Sequence, residues 1–357
     1  MKVAIRADGS PFIGMGHVMR CLSLAAALRQ SGCNVEFLSR FEPGMTQIHE
    51  QGFIVQPVAG GLPDGPGKEF EPAQDTDAVC QLLSSGGYDA LVTDSYRLND
   101  DYFLHVRRRV KASFYIDDLN RFPVVVDAVI NGNINAEELG YNAWTNSIQR
   151  WLGCRYNLLR PEFAALPHRE PPRKANNILI VAGGGDAGQL LLLLAESLIE
   201  LAQTEQFTLQ LVAAARSAAD DKLKQLVLRY PAQIKIHRGV TEMARLMQRC
   251  DLAISAGGST LYELCAAGVP RLAVVLASNQ QRIVDAMVRQ GVVLSLGSAD
   301  EITASGVVAG VERLVQDWPE RERMAQQGRK LVDGLGALRV AQKIKEVVAA
   351  AGRSTGK

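Results

Sequence analysis

No two of the six cysteines (Cys21, Cys33, Cys80, Cys154, Cys250 and Cys265) stand at the spacing of a zinc site or a redox pair. They read as reduced, mostly buried thiols, as in a cytoplasmic protein. Charge of one sign is missing as well: Lys+Arg 39 against Asp+Glu 38 leaves a net charge of +1, and no basic run would grip a polynucleotide. No apolar stretch is long enough to span a bilayer, and the opening MKVAIRA reads as a strand rather than a signal peptide. A compact Asp-rich metal motif is also absent. These gaps lead us to expect a cytoplasmic chain with no nucleic-acid partner, no stable membrane insertion, no metal and no cofactor. What remains, 47% hydrophobic and 22% charged residues over 357 positions, suits two globular α/β domains.

Apolar β-rich runs alternate with helical patterns, which predicts parallel sheets covered by helices. The front part offers KVAIRA, NVEFLS, ALVTDS, SFYIDD and AVINGN as strands; the rear part offers NILIVA, TLQLVA, KIHRG, LAISAG and RLAVVL. A segment rich in Pro and charge lies between the two sets. The expected organisation is an N-terminal Rossmann-like domain at 1–160, a linker at 161–177, a C-terminal Rossmann-like domain at 178–340 and a tail helix at 341–357.

Open parallel sheets bind ligands at the carboxyl ends of their strands, so the chemistry belongs there. The first such end reads DGSPFIGMGH. Gly14 and Gly16 permit a tight turn close to a ligand, and the following helix points free N–H groups at the same place. Val18, Cys21, Leu22, Ala25 and Leu28 share one helix face, which leaves His17 in the first turn. The positive helix end disfavours an imidazolium, so His17 is expected to accept a proton. Carboxylates close three strands: Asp8 the first, Asp94 the third, and Asp117 with Asp118 the fourth. Any of them could orient His17, touch a sugar or act as base, and Asp117 and Asp118 read equally well as turn caps. Asp8 is the preferred partner, because a carboxylate beside His17 raises its basicity. His49, His105, His168 and His237 occupy no comparable junction.

The rear part holds LAISAGGSTLYELCAAGVP, a strand, a glycine pair and a helix that stops at Gly268. Gly257 and Gly258 with the helix amides form an anion cradle fit for a diphosphate, Ser259 or Thr260 can cap the helix, and Glu263 can accept from ribose hydroxyls. Asn279 and Gln280 stand at a second such junction, and Gly183, Gly184, Gly185 and Asp186 at a third. One glycine loop alone is a weak sign; three in one domain favour a nucleotide.

Taken in order, RADGSPFIGMGHVMRCLSLA, VTDSY, FYIDD, GCRYNLLRPEF, AGGGD, SAGGSTLYEL and SNQQ resemble the UDP-sugar hydrolases of pseudaminic-acid synthesis over nearly the whole chain. Those enzymes remove UDP from UDP-2,4-diacetamido-2,4,6-trideoxy-β-L-altropyranose. They are similar in architecture to the lipid II-forming N-acetylglucosaminyltransferase, with two Rossmann-like domains facing a cleft, the GT-B fold. The resemblance implies a UDP-sugar substrate passed to water. It implies that His17 matches the catalytic histidine after G-x-G, Glu263 the UDP-binding glutamate, and Tyr96 the tyrosine after an aspartate. The strand-end positions themselves place Gly14, Gly16, Asp8 and Asp118 on the expected substrate side, and Gly184, Asp186, Gly257, Gly258, Ser259, Thr260, Asn279 and Gln280 on the expected UDP side. Gly185 and the pair Gly257-Gly258 depart from hydroxyl residues common in relatives, which leaves the sugar open. Water attack at the anomeric carbon needs a base and a cradle for the departing diphosphate, and both are present. The rival readings are an inverting transferase of the same fold, a hydrolysing 2-epimerase and a non-catalytic nucleotide-sugar sensor. A dehydrogenase is disfavoured for want of G-x-G-x-x-G and its ribose-binding acid.

Overall fold

Parallel strands cannot be joined by hairpins, so each apolar run needs a crossover helix before the next. The computed structural model describes residues 1–10, 12–59, 71–145, 147–182, 188–214 and 219–354. The chain divides into two compact units, Met1–Pro161 with Leu335–Lys357, and Glu162–Gly334.

The first unit runs β1 (Lys2–Ala7), α1 (Gly16–Gln30), β2 (Asn34–Ser39), α2 (Glu42–Glu50), β3 (Ile54–Pro57), α3 (Pro72–Gly86), β4 (Ala90–Asp94), α4 (Asp100–Arg107), β5 (Ala112–Ile116), β6 (Ala128–Asn131) and β7 (Gln149–Leu152). Its strands are parallel in the order β3-β2-β1-β4-β5-β6-β7. The order reverses between β1 and β4. α1 therefore leads away to β2 on one side and α4 to β5 on the other, which opens a crevice at the carboxyl ends of β1 and β4.

The second unit runs β8 (Asn177–Val181), α5 (Gly188–Glu205), β9 (Thr208–Ala213), α6 (Asp220–Arg229), β10 (Ile234–Arg238), α7 (Met243–Gln248), β11 (Leu252–Ala256), α8 (Thr260–Ala267), β12 (Arg271–Val275), α9 (Ser278–Arg289), β13 (Leu294–Ser298), α10 (Ala304–Gln316) and α11 (Trp318–Leu331). The order β10-β9-β8-β11-β12-β13 repeats the plan of the first sheet, with its reversal between β8 and β11. The Pro-rich stretch before β8 lies against this unit through backbone carbonyls. Trp318 donates its indole N–H to Pro171 at 2.9 Å, Arg321 reaches Pro172 at 2.8 Å and Arg173 at 2.6 Å, and Arg329 reaches Arg169 at 2.7 Å. The last helix, α12 (Gly336–Ser354), returns to the first unit and packs against α1.

Strand periodicity sorts the first core into two layers. Val3, Ile5 and Ala7 of β1, with Ala90 and Val92 of β4, face Val18, Cys21, Ala25 and Leu28 of α1 and Val340 and Ile344 of α12. Ala4, Leu38 and Leu91 face the opposite way, toward Val79 and Leu83 of α3 and Tyr102 and Phe103 of α4. This division by parity decides which strand-end side chain reaches which helix.

Candidate active site in the first unit and anion loops in the second

The loop between β1 and α1 is shaped by its own backbone. Ser10 and Gly14 form an isolated antiparallel bridge, and the Ser10 hydroxyl accepts from the N–H groups of Phe12 and Ile13, each at 3.2 Å. Gly14 sits at φ +79°, a conformation that side chains resist, so the turn requires glycine there. Gly16 opens α1, whose N-terminus carries no side-chain cap. His17 follows and is nearly buried, with its ring edge-on to Tyr96 at 4.5 Å between centroids.

The carboxylate beside His17 is Asp94. Its Oδ1 lies 2.5 Å from His17 Nδ1 and is paired in register with the end of β1, Asp94 opposite Ala7. Asp8, the expected partner, is turned away. It shares strand parity with Ala4 and Arg6, and its two oxygens accept from Arg6 Nη1 at 2.5 Å and Nη2 at 2.6 Å. Arg6 also holds Asp75 of α3 at 2.7 Å, and Arg40 donates its N–H to Asp8 at 2.9 Å and its Nη2 to Asp75 at 2.8 Å. Arg6 and Arg40 with Asp8 and Asp75 thus make a charge-balanced cluster on the α3 face of the sheet, while α1 covers the other face.

Around Asp94 the charges are matched in a second way. Arg20, one turn along α1 from His17, donates Nε to Asp94 Oδ2 at 2.6 Å and Nη2 to Oδ1 at 2.6 Å, and Cys21 Sγ approaches Oδ2 at 3.4 Å. Burial alone would raise the Asp94 carboxyl; Arg20, then His17, overcome it and hold Asp94 well below the usual carboxylate range. Asp94 is therefore an acceptor only, and the proton it faces belongs to His17 Nδ1. Nε2 is left as the imidazole's proton acceptor. Arg20 Nη1 continues to Asp118 Oδ2 at 2.8 Å, and burial, with the Asp118 charge nearby, keeps the Tyr96 phenol neutral. The structure brings His17, Tyr96 and Asp118 together with Asp94 and Arg20. Asp117 is a turn cap: it accepts from Leu119 and Asn120 N–H, each at 3.0 Å, and from Tyr141 at 2.9 Å.

In the second unit, the N–H of Gly257 is committed to Val274 at 3.0 Å, so it extends the strand ladder and is not part of an anion cradle. The donors of the loop are the N–H groups of Gly258, Ser259 and Thr260, because the next three amides turn back, Leu261 to the Gly258 carbonyl at 3.1 Å and Tyr262 and Glu263 to that of Ser259 at 3.0 and 3.3 Å. Ser259 makes no side-chain cap, so its hydroxyl does not occupy them. Glu263 lies in that first turn, half-buried. The β12–α9 junction abuts the glycine pair. Gln280 Oε1 accepts from Leu276 N–H at 2.9 Å, and a methyl placed on Gly257 would meet Gln280 Cβ at 3.1 Å and Val284 at 2.7 Å. Gln280 is thus brought to Gly257 and Gly258, whereas Asn279 stands exposed on α9. Gly184 and Asp186 lie outside the described residues. Substituting Gly257→Ala is expected to displace Gln280 and destabilise the second unit by about 1–3 kcal/mol. Urea unfolding checks this, and unchanged stability would show that the loop accommodates the methyl without moving Gln280.

Among the described residues, no His, Cys, Asp and Glu side chains gather in threes as a metal site requires, and no helix is long and apolar enough to cross a membrane.

Comparison with known proteins bears on both units. Residues 178–337 match the glycosyltransferase family 28 C-terminal domain. An uncharacterized protein of Methanocaldococcus jannaschii is 29% identical over 293 residues, 78% of this chain and 56% of its own length. The spore coat polysaccharide biosynthesis protein SpsG of Bacillus subtilis is 26% identical over 95% of this chain and 96% of its own. The pseudaminic acid cytidylyltransferase and UDP-2,4-diacetamido-2,4,6-trideoxy-β-L-altropyranose hydrolase of Helicobacter pylori is 25% identical over 78% of this chain, which spans 45% of that longer protein. Among solved structures, MurG of Acinetobacter baumannii superposes with a TM-score of 0.69 at 18% identity, covering 97% of this chain and all of that one. The chain has the GT-B fold.

Proposed function

We propose that this protein hydrolyses a UDP-linked 2,4-diacetamido-2,4,6-trideoxyhexose, UDP-2,4-diacetamido-2,4,6-trideoxy-β-L-altropyranose, to UDP and the free sugar, a step of pseudaminic acid synthesis. The observation that carries the reading is the His17–Asp94 pair at the sheet reversal, with Nδ1 committed to a carboxylate and Nε2 left to take a proton from water. Water attacks the anomeric carbon as Nε2 removes its proton, the bond from that carbon to the phosphate oxygen breaks, and the configuration inverts. The amides of Gly258, Ser259 and Thr260 at the start of α8, with Gln280 beside them, take the charge of the departing diphosphate, and Glu263 takes the ribose. Tyr96 lies against His17, Asp118 is tied to the same group through Arg20, and both address the sugar. The activity named for the Helicobacter pylori relative supports this substrate.

The match of 178–337 to a glycosyltransferase domain favours a second reading, inverting transfer to an acceptor hydroxyl with the same base. UDP release measured without any acceptor and with chelator present separates the two. We expect release, with oxygen-18 from labelled water found in the sugar and none in UDP. Release that begins only when an acceptor sugar is added would establish the transferase.

A further inference from the structure

Arg20 is the only described side chain that touches every charged group around His17. Its guanidinium grips both oxygens of Asp94 at 2.6 Å, holds Asp118 at 2.8 Å and brings Nη2 to 3.2 Å from His17 Nδ1. Asp94 ends β4, Asp118 follows β5, and His17 stands one turn back on α1, so one fork ties two strand ends to the helix that carries the base.

We propose that Arg20 is the positioning residue of the His17–Asp94 pair, fixing the carboxylate plane so that Oδ1 faces Nδ1 and balancing its charge so that the imidazole is not held doubly protonated. The inference rests on His17 acting as base.

The balance follows from the charges in reach. From β4 comes the Asp94 carboxylate, which on its own favours a charged imidazolium with no lone pair at Nε2. From α1 comes the guanidinium, charged at every working pH, which disfavours a second cation 3.2 Å away. After β4 comes the Tyr96 ring, a neutral phenol, and after β5 comes Asp118, whose charge is paired with Arg20 Nη1 at 2.8 Å. Without Arg20, Asp94 would act on His17 unopposed and would also lose the two bonds that set its plane. Lysine cannot replace the fork, since one ammonium cannot meet both carboxylate oxygens and reach Asp118.

The test uses the full chain with nitrogen-15 histidine, the His17 signal being assigned by its loss in His17→Gln. In wild type without substrate, we expect the neutral ring to carry its proton on Nδ1 and none on Nε2. In Arg20→Met, the doubly protonated ring should persist to higher pH by about one unit or more, and the acid arm of kcat/KM for UDP-sugar cleavage should move with it. Arg20→Lys, which keeps the charge, should leave that arm in place while kcat falls at least tenfold. A folded Arg20→Met whose His17 signals and acid arm match wild type overturns the proposal, whatever its kcat, because a purely structural arginine would give that result. Should Arg20→Met fail to fold, an acid arm in Arg20→Lys that moves as far as one unit overturns it equally. Wild-type cleavage that ignores the His17 titration instead strikes the base assignment and leaves the resonance test of Arg20 standing.

Discussion

Asp94→Asn is expected to lower kcat for UDP-sugar cleavage by roughly 10²–10⁴, about as much as His17→Ala, with UDP affinity unchanged in both. The argument is one of proton placement. Asp94 as a carboxylate can only accept, so it fixes the proton on Nδ1 and leaves Nε2 open. An asparagine offers Arg20 a carbonyl oxygen and turns its amide toward His17, where an N–H donor demands a bare Nδ1. The imidazole then carries its proton on Nε2, and the base is gone though every residue remains. Because the two side chains act as a unit, the double variant should be no slower than either single one. Steady-state rates with UDP affinities from calorimetry decide it. A fall of severalfold or less in Asp94→Asn would show that Asp94 only packs, and a double variant slower by the product of the single losses would show that the two act separately. The pH dependence has a sign as well. The lowered Asp94 carboxyl contributes stability above the ordinary aspartate range near pH 4, and this is lost as pH falls toward its folded value.

The order of strands and helices was legible because buried parallel strands are written in β-branched runs, and ten of them read correctly to within about two residues. β3, β7 and β13 escaped: each is an edge strand with at least three-quarters of its residues partly or fully exposed, and IVQP, QRWL and LSLGS carry too little apolar pattern to stand out. His17 was legible because a glycine turn and an amphipathic helix bracket it. Its partner is Asp94 and not the expected Asp8, and the signal for this lies in the sequence. Ala90, Val92 and Asp94 alternate in step with the residues that face α1, whereas Asp8 alternates with Ala4 and Arg6, which do not. Arg20 and Arg6 carried no such signal, because an arginine on a helix or strand reads as solvated until the fold shows what it pairs with. Gly257 illustrates the same limit: its glycine is required by Val284 and Gln280, which arrive from a distant helix, and its amide belongs to the sheet.

Arg6→Met is expected to destabilise the first unit by about 3–5 kcal/mol at neutral pH, more than any other single change considered for the fold. Methionine fills much of the arginine's volume, so the loss is mainly electrostatic. Arg6 gives two bonds to Asp8 and two to Asp75, and its removal leaves Asp8 in a site sealed from water with only the Arg40 N–H and the distant Ser39 hydroxyl. In the wild type, burial raises the Asp8 carboxyl, but Arg6 more than offsets it and the group ends below its ordinary value. Its contribution to stability is therefore present above about pH 4 and fades as pH falls. In the variant, burial acts without that opposition, and the carboxyl must sit above its ordinary value. Protonation then relieves the strain, so the variant gains stability on acidification while the wild type loses it. Urea unfolding at pH 7 and pH 4 measures both ends: the gap between wild type and Arg6→Met should narrow at the lower pH. A gap that stays constant would mean that Arg6 supports the unit by packing alone. His17 and Asp94 lie on the opposite face of the sheet, so UDP-sugar cleavage by the folded fraction should change less than threefold, unlike the result expected for Asp94→Asn.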